Sequence, residues 1–230
     1  MQGPASPLVD KYATLRLGQY LINPTEVCVS TTSELESWEV IEKKLASIYA
    51  AQEPKHWGAV MPSGPLHGLS AYWAENPTHW HFVTYGFSET HEKTSSDQEV
   101  SGWGFELCLR IKPHADDQGE PPLWPWAMLQ QLARYVCNNS MPFDHEHYIR
   151  WGGPITSDDD TELEALIFTE DRQLGTIVTP NGRLKFLTAI GITADEHQFA
   201  ADQGPEKLLA RLLPQNPLGV SDLQRHSVFS

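Results

Sequence analysis

The clearest rhythm in this sequence lies between Trp103 and Ile111. Every odd position is apolar (Trp103, Phe105, Leu107, Leu109, Ile111), and the even positions are Gly104, Glu106, Cys108 and Arg110. Period-two alternation of this length predicts a strand with one face on the core and one face wetter. His79 to Ser88, reading HWHFVTYGFS, is rich in residues that favour a pleated, half-buried surface. It predicts a second strand, antiparallel to the first, although the long polar loop between them sets no register. Leu69 to Trp73 reads as a short strand leading into this pair, after a loop marked by Pro62, Gly64, Pro65 and Gly68.

Helical spacing flanks this centre. Trp38, Ile41, Leu45 and Ile48 recur at three and four residues, one apolar stripe. Ser33 and Glu36 have the spacing of a capping box before it. Pro113 to Pro122 reads as a surface loop, and Trp124-Pro125 opens a second helix with Met128, Leu129, Leu132, Tyr135 and Val136 on its apolar face. Further on, His145 to Trp151 and Glu162 to Thr169 predict strands. Thr176 to Thr179 and Arg183 to Ile192 flank Pro180-Asn181-Gly182, a hairpin signal. Thr193 and Glu196 form another capping box. Leu208, Leu209, Leu212 and Leu213 anchor a last helix, and Ser221 to Ser230 reads as a short tail. The order of elements predicts an α/β (α+β) fold: a mixed, mainly antiparallel central sheet with helices packed against it. Residues 1–31 have weak periodicity and three prolines, so they are expected to form a partly ordered leader or an addition to a single domain spanning 32–230.

Composition narrows the function. The chain has 230 residues, enough for a sizeable core, and a net charge of −14. That field repels phosphate backbones, so nucleic acid is not an expected partner, whereas a basic partner is drawn in faster. Solubility alone explains the charge equally well. Three cysteines (Cys28, Cys108, Cys137) fit neither a zinc ribbon nor a redox pair, and reduced thiols in a cytoplasmic protein are the simplest account. No signal peptide is expected, and no stretch approaches the roughly 18 apolar residues of a membrane span.

Candidate chemistry is sparse. His79 and His81, two apart on a strand, point to one face, so both imidazoles can meet one metal. Glu106 shares a strand face with Arg110, and an ion pair with Arg110 or Arg134 is its expected role. Asp158-Asp159-Asp160 lacks the spacing of a calcium loop, and no nucleophile elbow, phosphate loop or dinucleotide fingerprint is present. Gly102 and Gly104 read as a bulge or close backbone fit. Trp103, Trp124, Trp126, Tyr135 and Trp151 are either core or the aromatic anchors of a protein-binding face. Two readings follow: a non-enzymatic binding module without cofactor or resident metal, and a metal-dependent hydrolase built on His79, His81 and Glu106. Neither fixes the oligomeric state.

The ordered motifs His79-Trp80-His81, Tyr85-Gly86-Phe87-Ser88-Glu89, Ser101-Gly102-Trp103-Gly104-Phe105-Glu106-Leu107, Trp124-Pro125, Leu132-Ala133-Arg134-Tyr135-Val136, Phe168-Thr169-Glu170-Asp171, Thr179-Pro180-Asn181-Gly182 and Phe186-Leu187 resemble the Suppressor of fused family over roughly Trp38 to Ser227. The resemblance implies an α/β domain with a central sheet and an interaction protein without catalytic activity. Animal members grip an extended peptide of Gli-type transcription factors between two domains. Positions here that match peptide-contacting residues are Tyr135 and Glu170. A third, Asp in the animal protein, aligns with His147, which puts binding of the same peptide in doubt. The resemblance covers only the first domain, so a two-domain clamp is not expected unless another subunit supplies the second wall. Short bacterial relatives include immunity proteins that neutralise a toxin. The partner-binding residues expected from both lines are therefore Tyr135, Glu170, His147, Trp103 and Trp151.

Overall fold

The computed structural model describes residues 36–50, 52–58, 65–114, 119–157 and 160–230. The expected leader, Ser33 and Cys28 lie outside them. Along the chain run α1 (Ser37–Ala46), β1 (Lys55–Gly58), β2 (Gly68–Glu75), β3 (Thr78–Tyr85), β4 (Val100–Ile111), α2 (Trp124–Asn139), β5 (Tyr148–Arg150), β6 (Leu163–Glu170), β7 (Thr176–Thr179), β8 (Gly182–Thr193), α3 (Ala194–Gln203), α4 (Pro205–Leu212) and β9 (Val220–Ser221).

Among the described residues the strands form one mixed sheet in the order β1-β2-β3-β4-β8-β6-β5, with β7 beside β8 and β9 beside β4. Neighbours are antiparallel except at β4, which runs parallel to both β8 and β9. The expected β3–β4 pair forms with Val83 opposite Cys108 and His81 opposite Arg110.

Helices cover both faces. On one, Met128, Leu129, Leu132, Ala133 and Val136 of α2 pack on Phe82, Phe105, Leu107, Phe168 and Leu187. On the other, Ile41 and Leu45 of α1 pack on Val83, Cys108 and Phe186. Leu208, Leu209 and Leu212 of α4 meet Ala165, Ile167, Ile190 and Ile192. Each Leu, Ile, Val, Met or Phe side chain among these contributes about 1.5–3 kcal/mol when fully buried. This double cover corrects the expectation of a wetter face on β4. Glu106, Cys108 and Arg110 are as buried as the apolar residues between them, as in strands with both faces covered.

The ends of the elements follow local chemistry. At α1 the capping residue is Glu36, and its N–H donates to the Glu39 carboxylate at 2.9 Å. At α3 the Thr193 N–H donates to Glu196 Oε2 at 2.9 Å, as the spacing predicts. Pro125 sits in the first turn of α2, and Ser140 closes that helix in the left-handed region at φ 52°. The Asn181-Gly182 turn forms, and the Asn181 side-chain amide also donates to the Glu89 and His91 carbonyls at 2.7 and 2.8 Å.

Two further differences matter. Between Val100 and Phe105 the β4 register shifts, with Gly102 and Gly104 at φ 55° and 81°. This bulge turns Trp103 out of the core row, leaving it 36% exposed. The expected tail is not loose: it begins in β9, where Ser221 Oγ accepts the Gly191 N–H at 2.9 Å. Arg225 then grips the buried Glu196 carboxylate with both terminal nitrogens, at 2.7 and 2.5 Å.

Candidate functional site

Phe143 lies three residues beyond the Ser140 cap, in the chain leading to β5. It is stacked on Phe168 of β6 (ring centroids 4.2 Å, 20°) and on Tyr135 of α2 (5.7 Å, 15°), with Phe105 edge-on at 6.4 Å. Two adjoining clefts open over it. One, of about 520 Å³, includes Trp103, Phe105, Asp144, Thr176, Arg183 and Lys185 in its wall. The other, of about 250 Å³, includes Tyr135, Met141, Glu146 and Ile149. Pro142, Phe143 and His147 belong to both. The smaller cleft reaches Tyr148 and Ile149 of β5, at one end of the sheet order.

Polar groups frame this aromatic floor. Lys185 Nζ donates to Asp144 Oδ1 at 2.7 Å. Burial pushes the Asp144 carboxyl up, but the Lys185 bond and the His145 N–H outweigh it and hold the group below its ordinary value. His147 Nδ1 accepts the Asp144 N–H at 3.1 Å, so its neutral ring carries the proton on Nε2 and presents it as a donor. The exposed Glu170 receives the Thr176 hydroxyl at 3.0 Å, and Thr176 is itself in the wall of the larger cleft.

Tyr135, His147 and Trp103 therefore converge on the two clefts, and Glu170 is one contact away. Trp151 is in neither wall: it follows β5, its N–H donates to the Glu164 carbonyl, and its ring packs against the α2-side core. Trp124 and Trp126 also pack on that core, as half-buried residues. Phe143 was not singled out from the sequence. Its signal was the Pro142-Phe143-Asp144 step between a helix end and a strand, an aromatic residue where a surface loop is expected.

The hydrolase constellation does not assemble. Glu106 is not ion-paired to Arg110 or Arg134, and it does not meet the histidines. Its carboxylate accepts the Thr84 hydroxyl (2.7 Å), the Gly86 N–H (3.0 Å), and the Ser88 N–H and hydroxyl (2.9 and 2.6 Å). Burial raises its carboxyl above the ordinary value while these four donors pull the other way. Arg110 instead turns to Asp171. His79 and His81 are both buried, with ring centroids 6.3 Å apart. Burial lowers His79 to about 4 and holds His81 well below its ordinary value, so both are neutral at pH 7. His79 Nδ1 is held by the Pro77 carbonyl at 2.6 Å and His81 Nδ1 by the Tyr49 hydroxyl at 2.8 Å. Among the described residues no helix is long and apolar enough to cross a membrane.

The family model described as Suppressor of fused protein (SUFU) matches residues 63–226. Suppressor of fused homologs from Homo sapiens and Mus musculus are each 30% identical over 162 residues, covering 66% of this chain and 33% of theirs. The matched region is thus about a third of the length of these curated relatives. A chain from the Sufu–Fu complex crystal structure superposes with a TM-score of 0.77 at 24% identity, covering 86% of this chain and 94% of that one. Drosophila Suppressor of Fused gives 0.76 at 24% identity, covering 84% and 52%. A putative SUFU homolog from Neisseria gonorrhoeae FA 1090 gives 0.59 at 13% identity, covering 84% and 96%. At these identities the solved structures establish a shared fold.

Proposed function

Because the chain belongs to the Suppressor of fused family, we propose that it is a non-catalytic protein-binding module that receives an extended segment of a partner across the double cleft over Phe143. The observation that carries this reading is the convergence of Tyr135, His147 and Trp103 on one aromatic floor, from α2, from the lead-in to β5 and from the β4 bulge. Rigid aromatic groups supply contact area at little entropic cost, and the His147 and Lys185 donors orient a peptide backbone or side chain. Glu170 contributes a rim carboxylate. Trp151 stands outside this face. The solved chain from a complex with Fu supports protein binding as the general mode.

The finer reading is an immunity-type role in the cytoplasm: the partner is a toxin of basic character, neutralised by occlusion. The net charge of −14 supports it, since an acidic surface speeds capture of a basic protein. The test is a tagged pull-down from lysate of the native organism, repeated with Tyr135→Ala/Glu170→Arg. One stoichiometric basic partner, lost in a double variant with unchanged circular dichroism, is the expected result. A partner retained at full stoichiometry by the folded double variant overturns the assignment of this face. Absence of any stoichiometric partner overturns the binding role.

A further inference from the structure

Between the sheet and the α1 side of the fold, three side chains from separate elements meet: His81 of β3, Cys108 of β4 and Asp171 just after β6. All are buried, and one ligand-type atom from each lies within 4.8 Å of the others. His81 is fully enclosed, its Nδ1 is engaged by Tyr49, and its Nε2 has no hydrogen-bond partner among the described residues while standing 4.0 Å from Asp171 Oδ2. A buried polar atom left unpaired is costly. An imidazole oriented through one nitrogen with the other free is how ligating histidines are held.

From this arrangement we propose that His81, Cys108 and Asp171 form a buried site for a single thiophilic divalent cation of the zinc type. Thiolate, imidazole and carboxylate are the donor set such an ion takes. The site stands apart from the cleft residues, and its role is to tie β3, β4 and the β6–β7 connection together. Asp171 is already engaged. Its Oδ1 accepts the Gln173 and Leu174 N–H groups, and its Oδ2 accepts Arg110 and the Thr188 hydroxyl. That hydroxyl is a rotor. Metal entry turns it away from Oδ2, while Arg110 stays as the outer partner that a ligating carboxylate keeps. Cys108 enters as a thiol, so each ion bound releases one proton to solvent.

The test uses the full chain carrying Cys28→Ser/Cys137→Ser, which leaves Cys108 as the sole thiol. It is stripped with chelator and titrated with Co²⁺ under reducing conditions. The expected result is a thiolate-to-cobalt charge-transfer band that saturates at one equivalent, is bleached by Zn²⁺, and accompanies a rise in Tm. Adding Cys108→Ser abolishes the band. Adding Thr188→Val removes one of the two donors on Asp171 Oδ2, leaving Arg110, and lowers the Kd for Co²⁺ severalfold, an effect that a purely structural role of Asp171 would not produce. A folded chain that shows no band with excess Co²⁺ overturns the proposal. So does a folded Thr188→Val variant with unchanged or weaker binding.

Discussion

Glu106 is a closely held polar side chain of β4, and replacing it tests the fold's energetics. Its carboxylate is fully buried and accepts four donors from the β3 end and the turn after it. Glu106→Ala leaves all four without it. The Thr84 and Ser88 hydroxyls can rotate toward other acceptors, but the Gly86 and Ser88 amides are fixed by the chain. Each orphaned donor costs about 1–3 kcal/mol, so these two amides alone cost about 2–6 kcal/mol. Glu106→Gln keeps one oxygen for the Gly86 and Ser88 side and turns an NH₂ toward Thr84, whose hydroxyl already accepts the Leu107 N–H at 2.9 Å. The charge-assisted character of three bonds is lost and one hydroxyl proton is stranded, for about 1–3 kcal/mol. Urea unfolding monitored by tryptophan fluorescence reads both variants as a shift of midpoint at constant slope. A typical domain is stable by about 5–15 kcal/mol, so the Ala variant should lose a large fraction of its stability. If both variants stay within about 0.5 kcal/mol of the parent, the four-donor account is wrong.

Two other outcomes follow from buried charges. Glu89 is nearly enclosed, and although burial raises its carboxyl, Lys93, Ser95 and Thr94 together hold it well below the ordinary value. Its contribution is complete above the unfolded value near 4.5 and is lost as pH falls below that. Glu89→Gln should therefore lower stability at pH 7 and flatten the decline in Tm between about pH 4.5 and pH 2.5; an unchanged acid profile would refute it. Among the described residues, Arg225→Ala leaves the buried Glu196 carboxylate with the Thr193 and Val228 N–H groups. A loss of about 2–4 kcal/mol is expected, with the Val228 amide exchanging its hydrogen early. A protected Val228 amide at unchanged Tm would show that the clamp is not needed.

What the sequence disclosed, and what it hid, divides by range. The stripes of α1, α2 and α4, the Thr193–Glu196 box and the Asn181-Gly182 turn rest on neighbours within a few residues, so their spacing alone identifies them. The polar row of β4 was misread because alternation reports two different faces without reporting what covers each. The partners that make burial tolerable are distant: Arg110 meets Asp171, 61 residues on, and Glu106 meets Thr84, 22 residues back. The proposed binding face was half legible. Tyr135, Glu170 and His147 came through family resemblance and Trp103 through its aromatic character, but Phe143, which gathers three of them, carries no spacing signature. Trp151 drew attention by residue type alone, and the fold puts it against the core. His81, Cys108 and Asp171 are joined only by tertiary structure, which no local pattern encodes.

The β9 insertion has a consequence for how the chain reaches this state. β4 and β8 run parallel from Phe105/Lys185 to Leu109/Ala189, and beyond that point β9 lies beside Arg110 and Ile111 while Ser221 serves Gly191. As the polypeptide emerges in order from the ribosome, β2, β3 and β4 can pair early. The central seam, however, has to wait for β8, some eighty residues later, and its far end for Ser221. Such non-local closure is slow compared with helix or hairpin formation. During that interval the long edge of β4 is open to pairing with other chains, and synthesis past Ser221 is what ends the exposure.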